Sequence, residues 1–183
     1  MSQILWTIGH STRPAEEMIQ LLRAHGIRVL VDVRSIPRSR HNPQFNKETF
    51  IKSLRQAGLQ YAHEPDLGGL RKSRADSINR GWKNASFRGF ADYMQTDAFW
   101  QALDKLMTTA KQAPTAIMCA EAVPWRCHRS LIADALVSRD WTVRHILTTA
   151  EAQPHHLTTF AKIKNGVLTY PEAADSSTTS RLF

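Results

Sequence analysis

Five short apolar runs, at residues 4–8, 27–33, 59–62, 115–119 and 142–146, are separated by segments whose apolar residues recur at helical spacing. This alternation restricts the chain more than any other feature. The run at 27–33 is almost continuously apolar, as a strand covered on both faces has to be. Between the runs, Met18, Leu21 and Leu22 share one helical face, as do Phe50, Leu54 and Ala57. The same spacing links Phe87, Phe90, Ala91 and Met94, then Phe99, Leu103, Leu106 and Ala110, then Leu131, Ile132, Ala135 and Leu136. Buried strands alternating with amphipathic helices specify the α/β class. A mainly parallel sheet with helices on both faces, three layers deep, is expected.

Punctuation agrees with that pattern. Pro14 can open the first helix, and Gly26 and Gly58 can end the first two. Asn165-Gly166 predicts a small C-terminal hairpin. Residues 64–86 read as a long loop rich in Gly, Arg, Ser and Asn, and residues 172–183 as a disordered Ser/Thr-rich tail. A chain of 183 residues suits one domain, placed at residues 1–171.

Composition removes several classes. With 42% hydrophobic and 22% charged residues the chain is not a disordered one. No apolar run approaches the ~20 residues of a membrane helix, so no membrane partner is expected. The first six residues lack a basic segment followed by a long apolar one, and two cysteines make no disulfide scaffold. The expected setting is the cytoplasm, with both thiols reduced. The oligomeric state is not encoded in any feature of the sequence.

The net charge of +8 is concentrated in one half. Residues 1–91 carry 15 Lys and Arg against 7 Asp and Glu, whereas residues 92–183 carry 9 of each. Such a field attracts phosphates, nucleic acid or an acidic partner, unless the charges scatter in space. Arg71, Lys72, Arg74, Arg80 and Lys83 lie in the long loop and could follow a phosphate backbone. Trp82 could stack on a base there, or anchor the loop in the core.

In open parallel sheets ligands bind beyond the carboxyl ends of the strands. Four polar clusters occupy such positions: His10 and Ser11; Asp32 and Arg34; Gly68 and Gly69; and Cys119 and Glu121 through Arg126, Cys127, His128 and Arg129. The motifs Thr7-Ile8-Gly9-His10-Ser11, Asp32-Val33-Arg34 with Pro37 and Ser39, Leu67-Gly68-Gly69, Phe90-Ala91-Asp92-Tyr93-Met94, and Cys119-Ala120-Glu121 through Cys127-His128-Arg129 carry a resemblance. In order, from about Trp6 to Ile146, they are similar to those of the bacterial and archaeal family catalogued as domain of unknown function 488. The resemblance implies a common site at these positions and brings no settled activity.

The chemistry therefore rests on the residues. Cys127 is expected at the start of the fifth helix, where free N–H groups and the dipole favour a thiolate. It is a candidate nucleophile; the alternative is a small buried residue that seats the helix. Glu121 could serve as general acid or base, or pair an arginine of its own loop. His10 could shuttle protons, or only bond its turn. Ser11 could be activated by His10, or cap the first helix. Arg34, Arg126 and Arg129 could hold a phosphate or carboxylate, with Asp32 orienting Arg34. Gly68 and Gly69 would let backbone approach a ligand, or simply make a turn. Cys119 and His128 complete the cluster.

From Cys119 to Arg126 the spacing is one residue longer than the Cys-x5-Arg loop of tyrosine phosphatases. No dinucleotide or Walker signature is present. The cysteine interval is not a zinc-ribbon spacing, so no metal and no cofactor are expected, and His155-His156 reads as a solvated pair. Three functions stay open: an enzyme acting on a small anionic, phosphorylated or nucleotide-like substrate, a nucleic-acid-binding module without turnover, and a regulatory protein whose site senses a metabolite or oxidation.

Overall fold

The computed structural model describes residues 3–173. Its strands are β1 (Ile4–Gly9), β2 (Val29–Asp32), β3 (Gln60–His63), β4 (Thr115–Cys119), β5 (Thr142–Ile146) and the two-residue β6 (Gln153–Pro154). The helices are α1 (Ala15–Ala24), α2 (Lys47–Gln56), α3 (Ala85–Tyr93), α4 (Asp97–Gln112) and α5 (Arg129–Val137). A hairpin of β7 (Lys162–Lys164) and β8 (Val167–Thr169) follows. Its turn places Asn165 and Gly166 at φ 51° and 77°, the left-handed pair that the Asn-Gly signal requires.

The six-stranded sheet has the order β3-β2-β4-β1-β5-β6. All pairings are parallel except that of β5 with β6. Helices cover both faces, as the alternation predicts. Alternate residues of each strand enter different cores. Ile8, Leu30 and Met118 join Met18, Leu22, Phe50 and Leu54 from α1 and α2. Leu5, Val31 and Ile117 join Phe90, Phe99, Leu103 and Leu131 from α3, α4 and α5.

This order builds a cleft. Strand β4 lies between β1 and β2. The chain leaves β1 and β2 toward the face of α1 and α2, and leaves β4 toward the face of α5. Loops that part to opposite faces open a crevice at the carboxyl ends of the three central strands.

Local geometry decides between several of the open alternatives. Ser11 does not cap α1: Pro14 precedes the helix without a side-chain cap, and Ser11 sits in the preceding turn at φ 48°. Trp82 is not free to stack on a base, because its ring packs against Phe87, Phe160 and Tyr170. The long loop is pinned, since the buried carboxylate of Asp92 accepts bonds from Arg74 N, Ser77 Oγ and Asn79 Nδ2. Of the expected tail, residues 174–183 lie outside the described residues. No helix among the described residues is long and apolar enough to cross a membrane.

Asp92→Ala would leave those three donors without their acceptor. The variant is expected to lose on the order of 3 kcal/mol in urea unfolding. Trypsin should also cut faster between Arg71 and Arg80; an unchanged midpoint and cutting rate would show that the loop is held by other contacts.

Candidate functional site

At the end of β4 the chain reaches Cys119, loops through a single-turn 3-10 helix (Pro124–Arg126) and presents Cys127 two residues before α5. The loop folds back so that the sulfurs of Cys119 and Cys127 touch, 2.6 Å apart and both buried. Behind them lies Arg129, 1% exposed. Its Nε donates to Cys119 Sγ at 2.9 Å, one terminal nitrogen to Thr7 Oγ1 at 3.2 Å, and the other to the carbonyl of Glu121 at 2.6 Å. Among the described residues no carboxylate pairs with it. Gly9 makes this contact possible: a Cβ there would stand 1.7 Å from the Glu121 carbonyl oxygen and 2.8 Å from the guanidinium.

A buried guanidinium without a carboxylate demands another negative charge. The sulfur pair lies where such a charge would compensate it, with Cys119 Sγ 2.9 Å from Arg129 Nε. Burial alone would raise the Cys127 pKa. Hydrogen bonds from Cys119 and His128 and the charges of His128 and Arg129 outweigh that and hold it well below the usual thiol range. Burial and the bond to Cys127 push Cys119 well above it. The opposed directions favour Cys127 as the partner that ionises first. The backbone N–H of Arg129, in the first turn of α5, also faces Cys127 Sγ at 3.5 Å.

Two histidines flank the pair differently. His128 Nδ1 lies 3.5 Å from Cys127 Sγ, and its Nε2 is buried without a partner among the described residues. Gly69 backs this ring so closely that a Cβ would meet Nδ1 at 2.6 Å. His10 instead stacks on Phe45, donates through Nδ1 to the Ser11 carbonyl, and accepts at Nε2 from Arg34. Burial, with a further push from Arg34, lowers its pKa from 6.5 to about 4. Arg34 is clamped in turn by both oxygens of Asp32 and by the Phe45 carbonyl.

These groups border one cavity of about 540 Å3. His10, Arg34, Cys119, Cys127 and His128 form its buried side. Arg38, Glu121 and Arg126 stand on its exposed side with Ile36 and Leu70, which are 64% and 75% exposed. Gly69 also lines it. Four candidates do not: Ser11, Asp32, Gly68 and Arg129 lie outside the lining. Asp32 acts through Arg34, Gly68 packs on Ser35, and Arg129 is engaged behind the sulfurs, so none of the three grips a guest directly.

Thr7 and Gly9 lie within the first motif of the series but drew no role of their own; His145 drew none, and His155 read as solvated. The His155 side chain is in fact buried between His145 and Asp134, at 3.0 and 2.8 Å. The motif and a threonine within an apolar strand were the available signals. Among the described residues no three His, Cys, Asp or Glu side chains gather as a metal site.

His10 yields a pH prediction. Unfolded, it titrates near 6.5; folded, it stays neutral down to about 4. The stability it contributes is therefore full above pH 6.5 and lost as the pH falls toward 4. Relative to His10→Gln, the wild type should lose on the order of 3 kcal/mol across that window in urea unfolding. A difference independent of pH would show that His10 is not held neutral.

The comparisons with known proteins agree with the motif series. The model of the family Domain of unknown function DUF488 matches residues 14–136, from the start of α1 to the last turn of α5. No curated protein and no solved structure matches the chain. With two thirds of its length inside the match, this chain belongs to the family Domain of unknown function DUF488.

Proposed function

We propose that this protein is an enzyme that binds an anionic substrate, phosphorylated or nucleotide-like, in the cleft at the strand ends and attacks it with the Cys127 thiolate. The observation that carries the reading is the sulfur pair compensating the buried Arg129 in the wall of an open cavity. A thiolate held for packing alone would not need a cavity before it.

The roles follow from position. Cys127 is the nucleophile, and Cys119 donates to it. His128 touches the sulfur through Nδ1, which suits exchange of a proton with Cys127. Glu121, on the exposed side, is the second acid/base candidate. His10 holds Arg34. The backbone N–H groups of Arg126 and Cys127 are used within their own turn, so gripping an anion falls to the side chains of Arg126 and Arg38 at the mouth. Ile36, Leu70 and Phe87 give the same mouth an apolar wall. The substrate that fits is amphipathic, with an anionic group and an apolar or ring-like body.

Nucleic acid is the second reading. Arg74, Arg80, Lys83 and Arg88 surround a separate cavity of about 510 Å3 beside α3, a basic surface that a phosphate backbone would suit. Against it, Trp82 is committed to the core, and Asp76 and Glu172 already pair with Arg74 and Lys83.

Charged and neutral alkylating agents test the first reading. Iodoacetate should modify Cys127 at pH 6 at least as fast as iodoacetamide does, since the mouth is cationic. Arg126→Gln should lower only the iodoacetate rate, by roughly tenfold if the guanidinium contributes about 1.4 kcal/mol. No reaction with either reagent below pH 8 would overturn the nucleophile. Equal loss with both reagents would overturn the anion grip. Salt-sensitive binding of single-stranded DNA that survives Cys127→Ser would favour the second reading.

A further inference from the structure

We propose that Thr7, His145, His155 and Asp134 form a positioning chain that holds the Arg129 guanidinium against the cysteine pair. The reactivity of Cys127 then depends on a carboxylate that touches neither the sulfurs nor their cavity. The inference rests on the thiolate reading of Cys127 given above.

The chain is continuous and mostly buried. Thr7 on β1 and His145 on β5 are partners in the sheet, so their side chains share the face toward α5. Thr7 Oγ1 lies 2.7 Å from His145 Nδ1. His145 Nε2 lies 3.0 Å from His155 Nδ1, and His155 Nε2 lies 2.8 Å from Asp134 Oδ1. Strand β6 pairs with β5 just before His155 and carries that residue into place. Asp134 is anchored at its other contacts by Thr158 N and Tyr170 Oη, which both donate to it.

Direction follows from chemistry. An ionised carboxylate only accepts, so His155 presents its proton at Nε2 and accepts at Nδ1. His145 therefore donates from Nε2 and accepts at Nδ1 from the Thr7 hydroxyl. With its own proton committed, Thr7 offers its oxygen to the Arg129 N–H. Every proton points from Arg129 toward Asp134. Burial keeps His145 neutral, lowering its pKa to about 3, which is consistent with this order.

Filling space does not explain four linked polar side chains in a layer otherwise built from Leu5, Val143 and Leu131. Buried polar groups cost stability unless paired, and here the pairing converges on a single corner of one guanidinium. The other corners of Arg129 are set by Cys119 and the Glu121 carbonyl. Without Thr7 the guanidinium could turn away from Cys119 Sγ, and the positive charge that favours ionised Cys127 would move off the pair.

The test is the pH dependence of Cys127 alkylation by iodoacetamide, located by mass spectrometry. The groups facing Cys127 are Cys119 from β4 and His128 and Arg129 from the start of α5. Across the cavity stand His10, Arg34, Glu121 and Arg126. Substitution at Thr7 changes none of them. Thr7→Val, of similar shape, is expected to raise the midpoint by about one unit, read as roughly tenfold slower alkylation at pH 6. Thr7→Ser should restore the wild-type profile, which a packing role would not do. Should Thr7→Val fail to fold, His155→Leu interrupts the same chain nearer its end and should shift the midpoint likewise. A folded Thr7→Val or His155→Leu protein with an unchanged midpoint would overturn the positioning chain while leaving the thiolate reading intact. A wild type that alkylates only as an ordinary thiol does would overturn the thiolate reading itself.

Discussion

A guanidinium with no carboxylate beside it, shut away from water, is the constraint around which this structure is arranged. Arg129 meets two backbone carbonyls, a hydroxyl and a sulfur. Neutral acceptors satisfy its hydrogen bonds but not its charge, and in a medium of low polarity the charge dominates. In the proposed reading the two cysteines answer it by sharing one proton. Gly9 has no side chain because the Glu121 carbonyl and the guanidinium occupy that space. The loop after β4 turns back because its carbonyls are ligands of the same cation. Three elements distant in sequence, β1, β4 and α5, thus meet at one ion.

The topology makes the meeting useful. With β4 between β1 and β2, the sulfurs stand at the centre of the sheet edge, where loops diverge. A cavity follows from that divergence, and its walls have unlike characters. The inner wall carries Cys127, a neutral His10 and a clamped Arg34, whereas the outer wall is apolar and cationic. The cationic and apolar groups at the mouth are what the proposed amphipathic anion would meet first.

Much of the fold was legible because strands and helices have different periods, and alternating apolar runs declare both. The convergence of His10, Arg34, Cys119, Cys127 and His128 was legible too, since parallel strands bring their carboxyl ends to one rim. What the sequence could not show was direction. Arg126 and Arg129 are three residues apart, one ending the 3-10 turn and the other opening α5, yet one faces solvent and the other is sealed under the sulfurs. His10 was the proton-shuttle candidate, yet the stack on Phe45 and the bond to Arg34 hold it in place while His128 touches the sulfur. His155 looked solvated because Asp134 and His145 come from helix and strand far away in the chain. Local spacing carries no information about such partners.

Counting protons on sulfur tests the central claim most directly. The chain has two cysteines, so the S–H stretch has no other source. Thiolate absorbance near 240 nm, followed with the infrared S–H stretch, should give one thiolate and one thiol at pH 7 in the folded protein. Arg129→Met, if folded, should return the second S–H. Two S–H groups in the wild type at pH 7 would contradict the account, because the buried cation would then have no counter-charge.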